Sequence, residues 1–482
     1  MTQGRPLPAI FGFALPLVFG YVLQQLYLII DAAMVGRFVS VGALGAVGAS
    51  GSVMFLILGF CNGAMAGFSI PVAQSFGARD YVQMRRYVSG AVRLGVALAV
   101  VLTVVCSLLT EQILVWMRTP RDILHDAWVF LLFQFLSIPF TLGYNLLSGF
   151  IRALGNSRQP FYFLIFASLL NIALDVLFIL VLGMAVEGVG LATMLAQASS
   201  MVMCVAYIRR RLPVLWRPAD GEEPAVSSVR GGSSVYRALL WNGLPMGLQF
   251  SITAVGSIML QSANNALGTT CVAAFTAAMR VKYLFTTVFE NIGVAMATYC
   301  GQNIGAARAA ARRAALSAAS AGGAPVRQAS VSGGAAGHYL RRLRLGVVAA
   351  LWLDAAFFVF SLAVLHPFAD EMMLLFVDGS ETAIIDHAAL YMRMACYFFP
   401  CLAVLTALRY SIQGLGYSDW SMMSGVMEMF ARVGVSLLLV PAWGFFGVCC
   451  GDPVAWVAAD LFLIPCFVWL YRRLWRNVVV RG

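Results

Sequence analysis

The stretch PFYFLIFASLLNIALDVLFILVLG, residues 160–183, decides the fold class of this chain. Its 24 residues contain one acidic side chain, Asp175, and no basic one. About 20 apolar residues in an α-helix cross the roughly 30 Å hydrocarbon core of a bilayer. A helix also satisfies its own backbone hydrogen bonds, which lipid cannot do for it. The stretch therefore predicts a membrane-spanning helix.

The rest of the chain has the same character. Hydrophobic residues make up 61% of the 482 positions and charged residues 11%, with a mean hydropathy of +0.84, whereas soluble domains carry about 25% charged residues. The apolar run nearest the N-terminus is too long for a signal-peptide core. Twelve runs of spanning length predict an all-α polytopic membrane protein: 10–34, 43–70, 87–109, 127–149, 160–183, 188–208, 238–264, 271–298, 345–366, 387–411, 421–441 and 446–471.

Arginines indicate how these helices are oriented. They cluster after five of the six even-numbered runs, the exception being run ten, and loops rich in arginine stay on the cytoplasmic side of a membrane. We therefore expect a multi-pass protein of the plasma (inner) membrane with both termini in the cytoplasm. The residues concerned are Arg79, Arg85, Arg86, Arg152, Arg158, Arg209, Arg210, Arg211, Arg312, Arg313, Arg341, Arg342, Arg472, Arg473 and Arg476.

The two halves of the chain resemble each other. AQSFGA at 73–78 matches GQNIGA at 301–306 with an offset of 228 residues, and IRALGNS at 151–157 matches IQGLGYS at 412–418 with an offset of 261. We therefore expect two pseudo-symmetric six-helix lobes, an N-terminal lobe at 1–212 and a C-terminal lobe at 236–475. A cytoplasmic linker at 213–235 would join them. Because each half has an even number of spans, the repeats are parallel and their pseudo-twofold axis runs along the membrane normal.

The change of offset predicts an insertion in the second half. A low-complexity tract of alanine, serine, glycine and arginine, near 307–340, fits it. We expect a mobile cytoplasmic loop there.

Acidic residues inside the apolar runs are the first candidates for function, because each costs about 2.5–3.5 kcal/mol at mid-membrane on insertion scales. Asp31 follows Gln24 and Tyr27 on one helical face, and Asp175 follows Ser168 and Asn171 in the same way. Neither acid has a basic residue three or four positions away. Two such faces would form a hydrated pocket able to bind a proton or Na⁺, and Thr193 could add a hydroxyl group.

The other intramembrane acids have weaker cases. Glu428 precedes Arg432 by four residues, which favours a structural ion pair. Glu290 shares its run with Arg280 and Lys282, so a partner on another helix could neutralise it. Asp354 has no polar face and receives no role.

Proline, cysteine and histidine complete the inventory. Prolines inside spans, at Pro16, Pro139, Pro245 and Pro400, are candidate bends. The ten cysteines form no CxxC pair, and no histidine is spaced to share a metal with them, so they predict packing rather than a disulfide or metal site. We expect no cofactor besides the coupling ion and no nucleic-acid partner, although the net charge is +11.

Several motifs together resemble the MATE family, the multidrug and toxic compound extrusion transporters, of the bacterial and archaeal type. They are DAAMVGRFVSVGALGAVG at 31–48, AQSFGARD at 73–80, FIRALGNSRQPF at 150–161, NIALDVLFI at 171–179 and GQNIGA at 301–306. The resemblance implies a cation-coupled antiporter that exports amphipathic, often cationic organic compounds by alternating access. It also implies an ion-coupling site at Tyr27, Asp31, Asn171, Asp175 and Thr193.

The resemblance further places substrate contacts at Gln24, Asn145 and Ser168. Other members bind sodium through acids in spans seven and ten, and the runs 238–264 and 387–411 contain none. That site is expected to be absent, which favours coupling in the N-terminal lobe. The ion stays open, because Asp31, Asn171, Asp175 and Thr193 could also hold Na⁺. We expect a monomer in the bilayer that carries small organic molecules.

Two alternatives remain at this point. A lipid-linked saccharide flippase of the same superfamily would need a cavity rich in cations, for which Arg280 and Lys282 are the obvious candidates. A polytopic membrane enzyme would need a nucleophile or metal constellation in the membrane. The four histidines, His125, His338, His366 and His387, lie at or outside the ends of the runs, so a non-enzyme is expected.

Overall fold

The computed structural model describes residues 1–34, 41–116, 124–218, 232–320 and 327–480, and every regular element in them is helical. Eleven helices in these ranges are long and apolar enough to cross a membrane, and a bent helix pair makes a twelfth span. The predicted all-α polytopic class and its twelve spans are confirmed.

We number the spanning helices by span. They are α1 (Pro6–Met34), α2 (Val41–Ala78), α3 (Tyr81–Leu108), α4 (Leu124–Ala153), α5 (Arg158–Asp175), α6 (Val186–Arg211), α7 (Gly232–Asn265), α8 (Thr269–Ser320), α9 (Arg327–Leu365), α10a (Thr382–Tyr397), α10b (Phe399–Gly414), α11 (Ser418–Gly434) and α12 (Gly451–Trp475). Wider π-helical turns continue α5 over Val176–Val181 and α11 over Val435–Leu439.

Local sequence explains where several helices begin and end. The Asp80 carboxylate accepts a hydrogen bond from the Gln83 amide at 3.0 Å, so it caps the first turn of α3. Gly155 and Gly416 adopt positive φ just after α4 and α10b, in the matching repeats LGNS and LGYS. A glycine in the left-handed region ends a helix at little steric cost.

The candidate bends behave differently from one another. Span ten breaks between Tyr397 and Phe399, and the axis of its second half is bent by 52° from that of the first. Pro400 lies in the first turn of α10b, where its missing N–H leaves no hydrogen bond unmade. The predicted bend near Pro400 is therefore confirmed, whereas Pro16, Pro139 and Pro245 lie inside unbroken helices.

The prediction of a loop in the low-complexity tract is wrong for the residues that can be described. Helix α8 continues to Ser320 and α9 begins at Arg327. Alanine and arginine are strong helix formers, so this composition extends both helices. Residues 321–326 lie outside the described part of the chain.

The chain divides into two compact units. The C-terminal unit comprises Met1–Leu15, Ala73–Arg79 and Leu248–Gly482, and the N-terminal unit comprises Pro16–Val72 and Asp80–Gly247. Helices α1, α2 and α7 each contribute residues to both units. The lobe boundaries at 212 and 236 stay a prediction, and most of the linker, 219–231, lies outside the described residues.

Candidate functional site

A small cavity lined by both polar and apolar residues lies within the N-terminal unit. Its empty volume is about 240 Å³. Helices α1, α5 and α6 line it with Tyr27, Leu164, Ala167, Ser168, Asn171, Thr193, Ala196 and Gln197. Four residues that the sequence singled out, Tyr27, Ser168, Asn171 and Thr193, are thus brought to one place.

Helix α5 supplies the polar wall of this cavity. Ser168, Asn171 and Asp175 recur at helical spacing on one face, and all three are buried. Ser168 and Asn171 line the cavity, whereas Asp175, one turn further along α5, is not among the lining residues. Asn171 is 2% exposed and Asp175 1% exposed. Neither amide atom of Asn171 nor the hydroxyl of Ser168 has a hydrogen-bond partner among the described residues. The cavity therefore holds polar groups that are available to a water molecule, an ion or a substrate.

The helix changes its geometry at Asp175. The α-helical hydrogen bonds end there and a π-helical turn, Val176–Val181, follows directly. Such turns are rare and are frequent at functional sites. The turn leaves Asp175 at the junction of two helix types inside the span, six residues before its end at Val181.

Asp31 can be placed only by its backbone. Helix α1 is continuous to Met34, so Asp31 follows Tyr27 by one helical turn. Its side chain lies outside the described residues. Gln24 lies three residues before Tyr27 on α1 and is half-buried. It is not among the residues that line the cavity.

Asn145 also lies apart from the cavity lining. Its Nδ2 donates to the Asn62 Oδ1 at 2.6 Å and so links α4 to α2. Among the described residues, no group of three or more His, Cys, Asp or Glu side chains could hold a metal ion. A Na⁺ site at Asp31, Asn171, Asp175 and Thr193 would use amide and hydroxyl oxygens as well, and it stays a prediction.

The C-terminal unit contains a buried network of charges. Lys282 in α8 pairs with Asp452 in α12 and donates to the Tyr391 hydroxyl at 3.0 Å. Tyr391 in turn donates to the Asp452 Oδ2 at 2.6 Å. The other oxygen of Asp452 accepts from Arg432 Nη2 at 3.1 Å.

The network continues from Arg432 along α11. Arg432 Nη1 donates to Glu428 at 3.4 Å, and the second oxygen of Glu428 accepts from Arg409. Arg409 Nε donates to the Ser424 hydroxyl at 3.1 Å. The chain of contacts joins α8, α10a, α10b, α11 and α12, so it ties most helices of this unit together.

Comparison with known proteins gives a consistent result. A family model described as MatE matches residues 16–177. The probable multidrug resistance protein YpnP of Bacillus subtilis is 30% identical over 63% of this chain and 66% of its own length. The probable multidrug resistance protein YoeA of the same organism is 24% identical over 99% of this chain and 98% of its own. The chain belongs to the MATE family.

Solved structures support the fold of this MATE protein. An outward-facing multidrug resistance MATE transporter has a TM-score of 0.83 at 20% identity and covers 98% of this chain and 97% of its own. A MOP superfamily transporter from Pyrococcus furiosus has a TM-score of 0.81 at 19% identity, with the same coverage. The resemblance stated from the motifs is confirmed, and the protein is a multi-pass membrane transporter.

Sequence reasoning missed part of the charge network of this MATE protein. The Glu428–Arg432 pair is confirmed. Lys282, however, pairs with Asp452, and Glu290 instead accepts from the Tyr410 hydroxyl at 2.7 Å. Asp452 and Arg409 both lie inside predicted apolar runs. The signal that singled out Asp175 would also have found them.

Two further observations concern acids of the C-terminal unit. Span seven contains no acid, as expected, but helix α10a begins at Thr382 and so includes Asp386, which is exposed. Asp354 in α9 is fully buried, and neither of its carboxylate oxygens has a hydrogen-bond partner among the described residues.

Proposed function

We propose that this MATE protein exports amphipathic, cationic organic compounds in exchange for an inward-moving cation, H⁺ or Na⁺. The observation that carries the proposal is the buried polar face of α5, on which Asn171 lines the cavity of the N-terminal unit and Asp175 follows one turn later. The names of the relatives support the substrate class, since YpnP and YoeA are probable multidrug resistance proteins and MepA of Staphylococcus aureus is a multidrug export protein.

The chemistry of the site suits an exchange of cations. A carboxylate at mid-membrane is costly unless it binds something, and a proton, a Na⁺ ion and an organic cation are alternative ways to neutralise it. Asp175 is almost completely buried, and Asp31 lies one turn beyond Tyr27 on α1. One neutralising cation therefore disfavours the second, which couples the two transport steps.

Asn171, Thr193 and Tyr27 would act as neutral ligands in this scheme. Amide and hydroxyl oxygens can complete the shell of a Na⁺ ion, and the same groups can donate to a carboxylate while it is charged. The set is therefore compatible with either coupling ion.

The orientation belongs to the same proposal. The arginine-rich ends of the even-numbered spans would face the cytoplasm, with both termini on that side of the inner membrane. Substrate would enter from the cytoplasm or the inner leaflet, and a monomer would suffice for transport.

The flippase alternative finds less support. A pyrophosphate needs cations that face it. Of the two candidates, Arg280 is exposed, whereas Lys282, like Arg409 and Arg432, is 4–6% exposed and contacts a carboxylate. The charges of these three buried residues are already committed within the C-terminal unit.

The test is efflux of a fluorescent organic cation from proteoliposomes under a proton gradient alone, a sodium gradient alone, or neither. We expect one gradient to drive efflux, and Asp175→Asn and Asp31→Asn to reduce it to the rate measured without a gradient. Parental rates in Asp175→Asn would contradict the assignment of the site.

Asp378→Asn is the matched control for these variants. This aspartate lies between α9 and α10a, outside the spans, and is fully exposed. Hydrogen bonds from the Ser380 amide and hydroxyl, at 2.9 and 2.8 Å, hold the pKa of its carboxyl below the ordinary value. Efflux should be unchanged in this variant. A loss of efflux in Asp175→Asn could then be assigned to that position and not to the removal of an aspartate in general.

A further inference from the structure

The two repeat motifs AQSFGA and GQNIGA lie against each other within the C-terminal unit. A methyl group on Gly77 would overlap the Gln302 carbonyl, and a methyl group on Gly305 would overlap the Gln74 carbonyl. Gly77 and Gly305 are separated by the repeat offset of 228 residues, as are Gln74 and Gln302. The contact is therefore reciprocal. In each repeat motif a glycine without a side chain leaves room for the backbone of the glutamine in the other motif.

We call this contact the repeat junction and define it as residues 73–78 of α2 with 301–306 of α8. It is tightly sealed, since Ala73, Gln302, Asn303 and Ile304 are all buried. The Gln74 amide donates to the Gly414 carbonyl at 2.9 Å and extends the seal to the end of α10b.

The polar contacts described at the repeat junction are hydrogen bonds. Arg308 donates to the Gln74 side-chain oxygen at 3.4 Å, which is long for a hydrogen bond and therefore weak. Glycines at such a contact let the two helix backbones approach closely without interlocking side chains. The charge network elsewhere in this unit could not part so readily.

The junction lies at the arginine-rich end of both helices. Arg79 follows it on α2, and Arg308, Arg312 and Arg313 follow it on α8. In the proposed orientation this end faces the cytoplasm. A transporter that takes up substrate there must open a path at that end and close it again.

We propose that the repeat junction is the cytoplasmic barrier and that α2 and α8 separate at Gly77 and Gly305 in each transport cycle. The inference rests on the alternating access of the proposed function. It predicts that a covalent bond across the junction stops transport, and that a methyl group on either glycine favours the open state.

A disulfide tests the first consequence. A Cβ atom on Gly301 would lie 3.3 Å from the Ala73 Cβ, close to the roughly 3.5–4.5 Å of disulfides. The variant is Ala73→Cys with Gly301→Cys in a chain whose ten native cysteines are replaced by alanine. We expect oxidation to abolish gradient-driven efflux and reduction to restore it.

Ser69→Cys with Gly149→Cys is the matched control. The same 3.3 Å separates the Ser69 Cβ from a Cβ on Gly149, but neither residue belongs to the repeat junction. This disulfide should leave efflux unchanged. Parental efflux from fully oxidised Ala73→Cys/Gly301→Cys, with the bond verified by mass spectrometry, would overturn the inference.

A second measurement does not depend on transport. In the cysteine-free chain carrying Gln302→Cys, the rate of alkylation by a membrane-impermeant maleimide reports opening at the junction. Gly77→Ala and Gly305→Ala should each raise this rate several-fold, whereas Gly434→Ala, where a methyl group meets nothing within 4 Å, should not. Equal rates in all three would refute the inference. If the parental chain moves no cation under any gradient, the proposed function fails. The alkylation rates would still show whether the repeat junction opens.

Discussion

At the scale of single residues, Asp452 shows how a buried charge is kept in a membrane helix. Its two oxygens accept hydrogen bonds from Lys282, Tyr391 and Arg432. Burial of a charge costs several kcal/mol, and this cost is offset only when its partners are close and its lone pairs are satisfied. Without the carboxylate, Lys282 would lose its acidic partner and Arg432 would keep only Glu428.

We therefore expect Asp452→Asn to be strongly destabilising, by roughly 3–5 kcal/mol. The measurement is thermal unfolding of the purified protein in detergent, followed by a thiol-reactive dye. The control is Asp370→Asn, because Asp370 and its partner Arg393 are both partly exposed, and such a pair contributes about 0–1 kcal/mol. Similar melting temperatures for the two variants would mean that the network is not important for stability.

At the scale of elements, the bend in span ten has two causes, a missing backbone hydrogen bond at Pro400 and the packing of Phe399. Pro400 cannot donate to the carbonyl four residues earlier, and Phe398 instead ends α10a with hydrogen bonds to Ala395 and Cys396. Phe399 at the break is fully buried, and its ring lies 5.4 Å from that of Phe289. The proline permits the bend, and the aromatic contact gives it a direction.

Replacing Pro400 by alanine restores the missing donor and should let the span straighten. The span has two arms of 16 residues and is bent by 52° from a straight line. Straightening it would increase its end-to-end length by about 5 Å. Spin labels at Glu381 and Tyr417 measure this distance. An unchanged distance would show that the packing of Phe399 holds the bend without help from the proline.

At the scale of the whole molecule, the two units use their polar residues in different ways. The N-terminal unit keeps Ser168 and Asn171 at a cavity, without hydrogen-bond partners among the described residues. The C-terminal unit commits Lys282, Arg409 and Arg432 to carboxylates, and its buried Asp354 has no hydrogen-bond partner among the described residues and does not line that cavity. The polar residues at the cavity are the reason to seek ion exchange in the first unit, and the charge network is the reason to expect rigidity in the second.

The orientation in the membrane gives a prediction at the same scale. A green fluorescent protein fused after Leu212 should fluoresce and an alkaline phosphatase there should be inactive, because Arg209, Arg210 and Arg211 keep that end of α6 in the cytoplasm. Fusions after Gly379, in the acidic segment between α9 and α10a, should behave in the opposite way. The reverse pattern at both sites would invert the topology and place the repeat junction on the outside.

Much of the fold could be predicted from the sequence, because a membrane helix is specified locally. A run such as 160–183 needs only its own length and apolarity to span, and the offsets of 228 and 261 residues reveal the repeat. Local reasoning failed in the tract near 307–340, where low complexity indicated a loop. The helix propensity of alanine prevailed in the described residues there.

The sequence by itself determined the membrane-spanning helices, the repeat and the contacts between near neighbours, such as Glu428 with Arg432, because helical periodicity fixes what lies four residues away. Only the tertiary structure decided which distant groups meet. Lys282 and Asp452 are 170 residues apart, and Gly77 meets Gln302 across two helices. Such pairs depend on how helices pack, and packing is set by the shapes of whole surfaces rather than by any local pattern.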